Sequence, residues 1–384
     1  MPPPPLDAGT AVALTGVALT ARWIAHERWL ETVREPASTR LFEDPLAAHF
    51  AGADGAAFSE GIRNNAATGP GEPSWPEWHR NWVAVRTAEI DAQCAAALDG
   101  AAGDITQVVN LGAGLDSRAF RALGTPGCDH ADGKSPDRPH RSFASCNVYE
   151  IDFADVLKAR GICMLTRREM ESAGTRGSRV SSPLAMRLCE ITALPTLPRR
   201  RPSPAAFHPL EAKSLTAAAR GIAPLAERYV SVAADITDAR AWSGALCAAG
   251  FDPARPALFL GEGLLCYLAP RAARAALGAA AALAAPGSVW VGDWHTPESS
   301  FSAALGPTRA AVAACFAREG WGGDGGDGSG AASVRRFGED EALRRGRFPD
   351  HLAPFPGLGI VCATRSTRPP SSVASNSNGG CLLA

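Results

Sequence analysis

The sequence predicts an α/β protein with a mostly parallel, doubly wound, Rossmann-like sheet. From about residue 107 onward, short apolar segments alternate with helical ones, which is the pattern of a parallel sheet flanked by helices. Glycine and proline bound these apolar segments, as expected for strands that are buried on both faces. The first segment also runs directly into the glycine-rich turn Leu111-Gly112-Ala113-Gly114.

Six strands and six helices are predicted. The strands are Gln107–Leu111, Asn147–Asp152, Tyr229–Ala234, Ala257–Gly261, Ser288–Asp293 and Gly359–Arg365. The helices between them are Asp116–Ala122, Ala154–Arg160, Ala239–Ala249 and Pro270–Ala285. Two earlier helices, from residue 11 to about residue 35 and Ala84–Leu98, form a predicted N-terminal helical cap over residues 11–100, with a loop in the 60s and 70s.

Polar and low-complexity segments interrupt this pattern. We expect disordered tails at 1–10 and 367–384, and loop insertions at about 127–145, 161–220 and 322–332 within a domain spanning 101–366. The C-terminal residues Cys381-Leu382-Leu383-Ala384 have the form of a prenylation motif, but no polybasic segment precedes them.

Composition and charge exclude several classes of protein. With 38 basic and 39 acidic residues the net charge is −1, so no overall field favours nucleic acid or an anionic membrane. The ten cysteines are scattered without a Cys-x-x-Cys pair, so we predict no metal site and a reducing, cytoplasmic location. The longest uncharged apolar run, Ala275–Gly292, is broken by Pro286-Gly287, so no integral membrane span is predicted.

The glycine-rich turn indicates a nucleotide site without identifying the nucleotide. Glycines let the backbone approach a ligand closely, and a helix after the turn would present free N–H groups. A dinucleotide fingerprint needs a third glycine, and Ser117 stands at that position. The turn alone leaves a NAD(P)-binding oxidoreductase and a methyltransferase both open.

Carboxylates follow three of the predicted strands. Asp152, in the segment Tyr149-Glu150-Ile151-Asp152, is placed to accept both hydroxyls of an adenosine ribose. Asp235 follows the third strand, where an acid can accept from an adenine amino group. Glu262 lies between two glycines in an apolar run, so we expect a ligand or a basic residue beside it, because a buried unpaired charge is costly.

Several motifs in fixed order resemble the leucine carboxyl methyltransferase-like family of S-adenosylmethionine-dependent O-methyltransferases, over roughly residues 11–300. The motifs are Arg40-Leu41-Phe42-Glu43-Asp44-Pro45-Leu46-Ala47, Asn110-Leu111-Gly112-Ala113-Gly114-Leu115-Asp116-Ser117-Arg118-Ala119-Phe120-Arg121, Tyr149-Glu150-Ile151-Asp152-Phe153, Ala233-Ala234-Asp235-Ile236, Ala249-Gly250-Phe251-Asp252-Pro253-Ala254-Arg255-Pro256-Ala257 and Glu262-Gly263-Leu264-Leu265-Cys266-Tyr267-Leu268. The resemblance implies a Rossmann-like class I methyltransferase fold and S-adenosylmethionine as cofactor. The chain departs from the family at Ser117, where threonine is usual, and at Ala154, where proline is frequent.

The resemblance also implies roles for individual residues. Arg86 matches the arginine that pairs with the cofactor carboxylate, and Gly112 the glycine under the methionine moiety. Asp152 matches the ribose acid, Asp235 and Ile236 the adenine pair, and Glu262 an acid near the cofactor amino group. The predicted cofactor-binding set is completed by Arg28, Gly114, Asp116 and Glu150.

The sequence leaves the methyl acceptor and any catalytic base unassigned. The aromatic motif of N-methyltransferases is absent after the fourth strand, where Gly261-Glu262-Gly263 stands, which favours oxygen methylation. The acceptor is a carboxylate or a hydroxyl, on a small molecule or a protein C-terminus. Only a hydroxyl would benefit from a general base. His26 and His295 are candidates, although a lone histidine is more often a structural residue. A cofactor-binding protein without catalysis is the remaining alternative.

Overall fold

A computed structural model describes residues 17–65, 75–99, 105–124, 142–165, 224–297, 304–322, 332–348 and 357–365. The predictions for the tails 1–10 and 367–384 and for the motif at Cys381 fall outside these residues. Most of the three predicted insertions, 127–145, 161–220 and 322–332, fall outside them as well. Where 161–220 begins, however, the chain is still helical up to Leu165.

One sheet of seven strands organises the described residues, in the order β3-β2-β1-β4-β5-β7-β6. All pairings from β3 to β5 are parallel, whereas β7 is antiparallel to both β5 and β6. The predicted mostly parallel sheet is confirmed. The strands are β1 Gln107–Leu111, β2 Asn147–Asp152, β3 Arg228–Ala233, β4 Ala257–Gly261, β5 Val289–His295, β6 Ser333–Arg336 and β7 Leu358–Thr364.

Helices cover both faces of this sheet. One apolar core lies between the sheet and the helices that follow it, with Trp242 and Leu277 buried against strand residues such as Phe259. The second core lies on the opposite face, where Val85 and Ile90 pack with the other strand residues. The helices are α1 Val17–Arg34, α2 Ala47–Asn65, α3 Trp75–Asp99, α4 Ala154–Leu165, α5 Ala239–Ala248, α6 Pro270–Leu283 and α7 Arg309–Arg318. The predicted α/β class with doubly wound sheet and N-terminal helices is confirmed.

The helix predicted over Asp116–Ala122 is wrong. The chain forms only a short 3-10 turn, Arg118–Phe120, after the glycine-rich turn. The Asp116 carboxylate accepts from the backbone N–H of Arg118 at 2.8 Å and from its guanidinium at 2.7 Å. Such local side-chain bonds compete with helical ones, so no helix start stands behind Gly112 to receive a phosphate.

Other boundaries differ where glycine, proline or charge obscured the pattern. α3 begins at Trp75, ahead of the predicted Ala84, because Pro76 is tolerated in a first helical turn. α2 was not predicted, because Gly52, Gly55 and Gly61 weaken its helical signal; the helix is kinked at Gly52 and continues to Asn65, where part of a loop was expected. β6 is a four-residue edge strand of sequence Ser-Val-Arg-Arg, and short charged edges of this kind are common. Within the described part of the chain, no helix combines the length and apolarity needed to cross a bilayer.

Candidate functional site

A cavity of about 520 Å³ opens at the carboxyl ends of β1 to β5, beneath α1 and α3. Parallel strands bring their carboxyl ends to one edge of a sheet, which is where ligands of such folds bind. Nine of the ten predicted cofactor-binding residues line this cavity: Arg28, Arg86, Gly112, Gly114, Asp116, Asp152, Asp235, Ile236 and Glu262.

Glu150 is the tenth predicted residue, and it does not line the cavity. It is buried in the middle of β2, where the Tyr229 hydroxyl of β3 donates a hydrogen bond to its carboxylate. Its placement two residues before the end of the strand keeps it below the edge at which the cavity opens. A role in cofactor binding therefore has no support from its position.

The turn after β1 is shaped by two glycines with left-handed backbone. Gly112 has φ 63° and Gly114 has φ 53°, a region that residues with a Cβ rarely adopt. A Cβ on Gly112 would lie 2.7 Å from Cδ1 of Leu264, in the segment after β4. The glycine therefore lets the β1 turn approach the β4 turn closely along the cavity floor.

The carboxylate of Asp152 ties β2 to this turn. Its Oδ2 accepts the backbone N–H of Gly114 at 2.7 Å, and its Oδ1 accepts that of Phe153 at 2.7 Å. These two hydrogen bonds fix the orientation of the Asp152 carboxylate at the cavity edge.

Glu262 lies between two buried arginines, which is the second of the two expected possibilities, a ligand or a basic residue. Its Oε1 lies 3.0 Å from Nε of Arg86, and its Oε2 lies 2.6 Å from a terminal nitrogen of Arg118. Arg86 also contacts Asp293 at 3.3 Å. Burial alone would lower the pKa of Arg86, but Glu262 and Asp293 raise it above its ordinary value, so this arginine stays charged.

Arg118 extends this cluster to α3. Its Nε contacts Asp91 at 2.6 Å, and Asp91 also pairs with Arg121 at 2.6 Å. Burial acts to raise the pKa of Asp91, but the two arginines bring it below its ordinary value. The sequence offered no signal for this pairing, because the two arginine partners of Asp91 lie 27 and 30 residues further along the chain.

Arg28 reaches the site from α1. Its Nε donates to Asp44 at 2.9 Å, and a terminal nitrogen donates to the backbone carbonyl of Leu115 at 2.6 Å. Asp44 also accepts from the Ser117 hydroxyl at 2.6 Å. Arg28 therefore fastens the first helix to the segment that follows the glycine-rich turn.

Aromatic side chains from α1 and α3 line one end of the cavity, and they were not predicted to belong to the site. Trp23 of α1 stacks on His79 of α3 with ring centroids 3.9 Å apart and planes inclined by 12°. Trp78 and Trp82 line the same end, and Arg86 lies 5.6 Å above the Trp82 ring. The tryptophans at 78 and 82 are one helical turn apart, a spacing that would have revealed this wall had α3 been predicted to begin at Trp75.

Tyr267 and His295 also line the cavity. Tyr267 is 38% exposed, with its hydroxyl 3.5 Å from that of Thr20. His295, at the end of β5, places Nε2 3.5 Å from Oδ2 of Asp293. By contrast, Trp294 belongs to the apolar core and His26 does not line the cavity.

The sequence matches the family model of leucine carboxyl methyltransferase over residues 21–132 and 136–281. A Frankia alni protein, assigned by inference as an S-adenosyl-L-methionine-dependent methyltransferase, is 30% identical over 292 residues, covering 73% of this chain and 70% of the relative. A protein of the same assignment from Mycobacterium sp. strain KMS is 32% identical over 289 residues, covering 74% and 68%.

Solved structures show more distant likenesses. A protein of Thermobifida fusca, assigned by inference as a methyltransferase, gives a TM-score of 0.39 at 14% identity, covering 94% of this chain and 98% of that one. Magnesium protoporphyrin IX methyltransferase of Synechocystis, solved with bound SAH, gives 0.34 at 11% identity, covering 81% and 95%. At these TM-scores the likenesses do not bear on function.

Proposed function

This chain belongs to the leucine carboxyl methyltransferase family, and on that premise we propose that it transfers the methyl group of S-adenosylmethionine to an oxygen of its acceptor. The α/β fold with its mostly parallel sheet is the Rossmann-like class I fold that the motifs implied. The acceptor oxygen belongs to a carboxylate or a hydroxyl.

The charge balance of the cavity carries this proposal. Four carboxylates line it, against two arginines: Asp116, Asp152, Asp235 and Glu262 against Arg28 and Arg86. S-adenosylmethionine brings two positive groups, a sulfonium and an ammonium, and one carboxylate, so its net charge complements the cavity. In a site of low dielectric this complementarity is worth far more than in water.

The excess of carboxylates over arginines in the cavity lining also argues against a nicotinamide dinucleotide. A pyrophosphate needs backbone N–H donors at a helix start or basic side chains. Here a 3-10 turn follows the glycines, and Asp116 occupies the backbone N–H of Arg118. A pyrophosphate at Gly112 would therefore meet a carboxylate where a dinucleotide fold offers a helix N-terminus.

The residues that line the cavity fit S-adenosylmethionine in three places. Asp152 is oriented to accept ribose hydroxyls, and Asp235 with Ile236 would hold the adenine at the end of β3. Gly112 leaves room for the methionine moiety, whose charged ends would meet Arg86 and Glu262. When bound, the sulfonium supplies an already activated methyl carbon, so the protein's own task is to align the acceptor and exclude water.

Calorimetry with the Asp152→Asn variant tests this function. Replacing the Asp152 carboxylate with an amide should weaken binding of S-adenosylhomocysteine roughly tenfold or more, because one charge-assisted hydrogen bond to the ligand is lost. The matched control is Asp155→Asn, an exposed position on α4 three residues further on, which should bind as the parent does. The parent protein should bind S-adenosylmethionine and should not bind NAD under the same conditions.

Binding of NAD, or no binding of either S-adenosyl compound, contradicts the proposal. Equal affinities in the two variants would remove Asp152 from the site. Arg86→Ala is a poorer test, because it would remove the arginine that pairs with buried Asp293 and one of the two that pair with Glu262, and so destabilise the fold itself.

A further inference from the structure

Two of the carboxylates that line the cavity share one basic partner. Nη1 of Arg118 lies 2.7 Å from Oδ2 of Asp116 and 2.6 Å from Oε2 of Glu262. Asp116 belongs to the turn after β1, and Glu262 follows β4, the neighbouring strand in the sheet. Because both oxygens contact the same nitrogen, the two carboxylates are held side by side where the two turns meet.

The arginine lies behind these carboxylates. Asp116 and Glu262 line the cavity, and their side chains remain 12% and 13% exposed. The Arg118 side chain is only 3% exposed and is not one of the described residues that line the cavity. A ligand in the cavity would therefore meet the two negative groups without touching the positive group that holds them.

α3 fixes Arg118 from the opposite side. Nε of Arg118 donates to the carboxylate of Asp91 at 2.6 Å, and Nη2 donates to the backbone carbonyl of Thr87 at 3.3 Å. Thr87 and Asp91 are four residues apart, so they lie on one face of the helix. Each nitrogen of the guanidinium thus has a partner, and the planar group is held in one orientation.

The charges of these groups support one another. Two carboxylates placed this close repel, which favours protonation of one of them. Burial also acts to raise the pKa of Asp116, but Arg118, followed by Arg28, brings it below its ordinary value. Burial acts to lower the pKa of Arg118, yet Asp116 and Glu262 raise it well above its ordinary value. Arg118 therefore keeps Asp116 ionised beside Glu262 at neutral pH.

A pair of partly exposed carboxylates suits a cation. The amino-acid part of S-adenosylmethionine carries its ammonium and its carboxylate on the same carbon atom, so the two groups bind close together. Arg86, which the proposed function pairs with that carboxylate, contacts Glu262 through Nε at 3.0 Å and Asp293 through Nη1 at 3.3 Å. Its Nη2 takes part in neither contact. A cofactor carboxylate at Arg86 would place the ammonium next to Glu262 and Asp116.

We propose that Arg118 is a positioning residue for the cofactor, which holds Asp116 and Glu262 side by side so that both carboxylates receive the ammonium group of S-adenosylmethionine. The inference rests on the proposed function, because that function places the cofactor in the cavity. Arg118 acts only through the two carboxylates. A lysine keeps the charge but cannot replace the arginine, because a single ammonium group does not have the planar set of donors that bridges these partners.

Two ligands that differ only in the amino-acid part test this role. S-adenosylhomocysteine carries the ammonium and the carboxylate, whereas 5′-methylthioadenosine has the same adenosine and a thioether without them. Binding of each ligand to the full chain is measured by calorimetry. In Arg118→Lys the affinity for S-adenosylhomocysteine should fall roughly tenfold or more, because a charge-assisted hydrogen bond to the ligand is disturbed. The affinity for 5′-methylthioadenosine should stay unchanged.

Arg121→Lys is the matched control. Arg121 is buried in the same cluster and pairs with Asp91 at 2.6 Å, but its other hydrogen bonds are with the Ser117 hydroxyl and the Ala122 carbonyl. This variant should lose stability and keep its affinity for both ligands. Equal losses for both ligands in Arg118→Lys, or an equal loss of S-adenosylhomocysteine affinity in the two lysine variants, show a purely structural role and overturn the inference.

Asp116→Asn tests the same arrangement without changing the arginine, and it decides the question if Arg118→Lys does not fold. The amide keeps the shape of the side chain and removes its charge. S-adenosylhomocysteine should again bind more weakly, and 5′-methylthioadenosine should not. Unchanged affinity for S-adenosylhomocysteine would remove Asp116 from the ammonium site and overturn the inference.

Failure of this inference is distinguishable from failure of the proposed function. Both ligands are measured with the parent protein, and thermal unfolding shows that each variant is folded. If neither ligand binds the parent, the proposed function fails first. If both bind the parent and the Arg118 and Asp116 variants weaken both equally, the methyltransferase proposal stands and the role of Arg118 is structural alone.

Discussion

At the residue scale, the site depends on backbone shape as much as on charge. Gly112 turns left-handed so that the β1 turn can pass within van der Waals distance of Leu264. The next residues are then held by Asp116, which accepts from Asn110 at 3.0 Å as well as from Arg118. One short segment thus forms the cavity floor and prevents a helix from starting there.

Alanine at Gly112 should destabilise the protein and weaken binding of S-adenosylhomocysteine. A left-handed residue with a Cβ costs about 1–2 kcal/mol, and here the new atom also meets Leu264. Gly124→Ala is the matched control, since Gly124 has φ 78° and open space around its missing Cβ. Denaturant unfolding should therefore show a larger loss for Gly112→Ala, and equal losses would mean that the close approach to Leu264 does not matter.

At the element scale, α1 carries Trp23 and Arg28 to the cavity and must be held in place by its contacts. α2 packs against it, and Gly55 lies close to the backbone of Arg22. A Cβ on Gly55 would lie 2.4 Å from the backbone carbonyl oxygen of Arg22. A backbone atom cannot swing aside as a side chain can, so the crossing of the two helices requires glycine.

Two alanine substitutions in α2 should therefore have opposite effects. Gly55→Ala should lower the free energy of unfolding by about 1–3 kcal/mol, because it overpacks the crossing. Gly61→Ala, with nothing within 4 Å of its Cβ position, should raise it by up to about 1 kcal/mol through helix propensity. Thermal unfolding of the two variants measures this, and stabilisation by both would show that α1 and α2 are not packed closely at Gly55.

At the scale of the whole molecule, a buried ion-pair cluster joins parts of the chain that are far apart in sequence. Arg118 contacts Asp91 of α3, Asp116 after β1 and Glu262 after β4. Arg86 extends the cluster to Asp293 on β5. Removal of Arg118 would take a basic partner from three buried or part-buried carboxylates at once, which is costly, so the cluster fixes α3 against the cavity edge of the sheet.

This cluster predicts sensitivity to acid. Burial acts to raise the pKa values of Asp91, Asp116 and Asp293. Neighbouring arginines nevertheless hold the pKa values of Asp91 and Asp116 below the ordinary value, and His295 with Arg86 does the same for Asp293. A carboxyl with a lower pKa when folded stabilises the protein above its unfolded pKa, about 3.9 for aspartate, and that stability is lost as pH falls towards the folded value.

The free energy of unfolding in urea should therefore drop as the pH falls below about 4. Because these pairs are buried, the drop should persist at high salt, which screens exposed pairs far more strongly. Stability that is flat through this range, or a drop that salt abolishes, would show that exposed charges and not this cluster govern the acid response.

The sequence by itself determined the sheet and the edge at which the site lies. β1, β2 and β4 were predicted to the residue, since short apolar segments bounded by glycine or proline are a local signal. The carboxylates Asp152, Asp235 and Glu262 could be predicted to lie near one another, because the carboxyl ends of parallel strands meet at one edge of the sheet. A ligand or a basic residue was expected beside Glu262, since a buried unpaired charge is costly.

Only the tertiary structure decided which partners meet and which predicted residues do not. Glu150 points to Tyr229 within the sheet, and the predicted helix after Gly112 gives way to side-chain bonds from Asp116. The aromatic wall joins Trp23 to His79, 56 residues apart in the sequence. Such contacts have no local periodicity to reveal them, because they depend on how α1 and α3 cross above the sheet and not on the pattern within either helix.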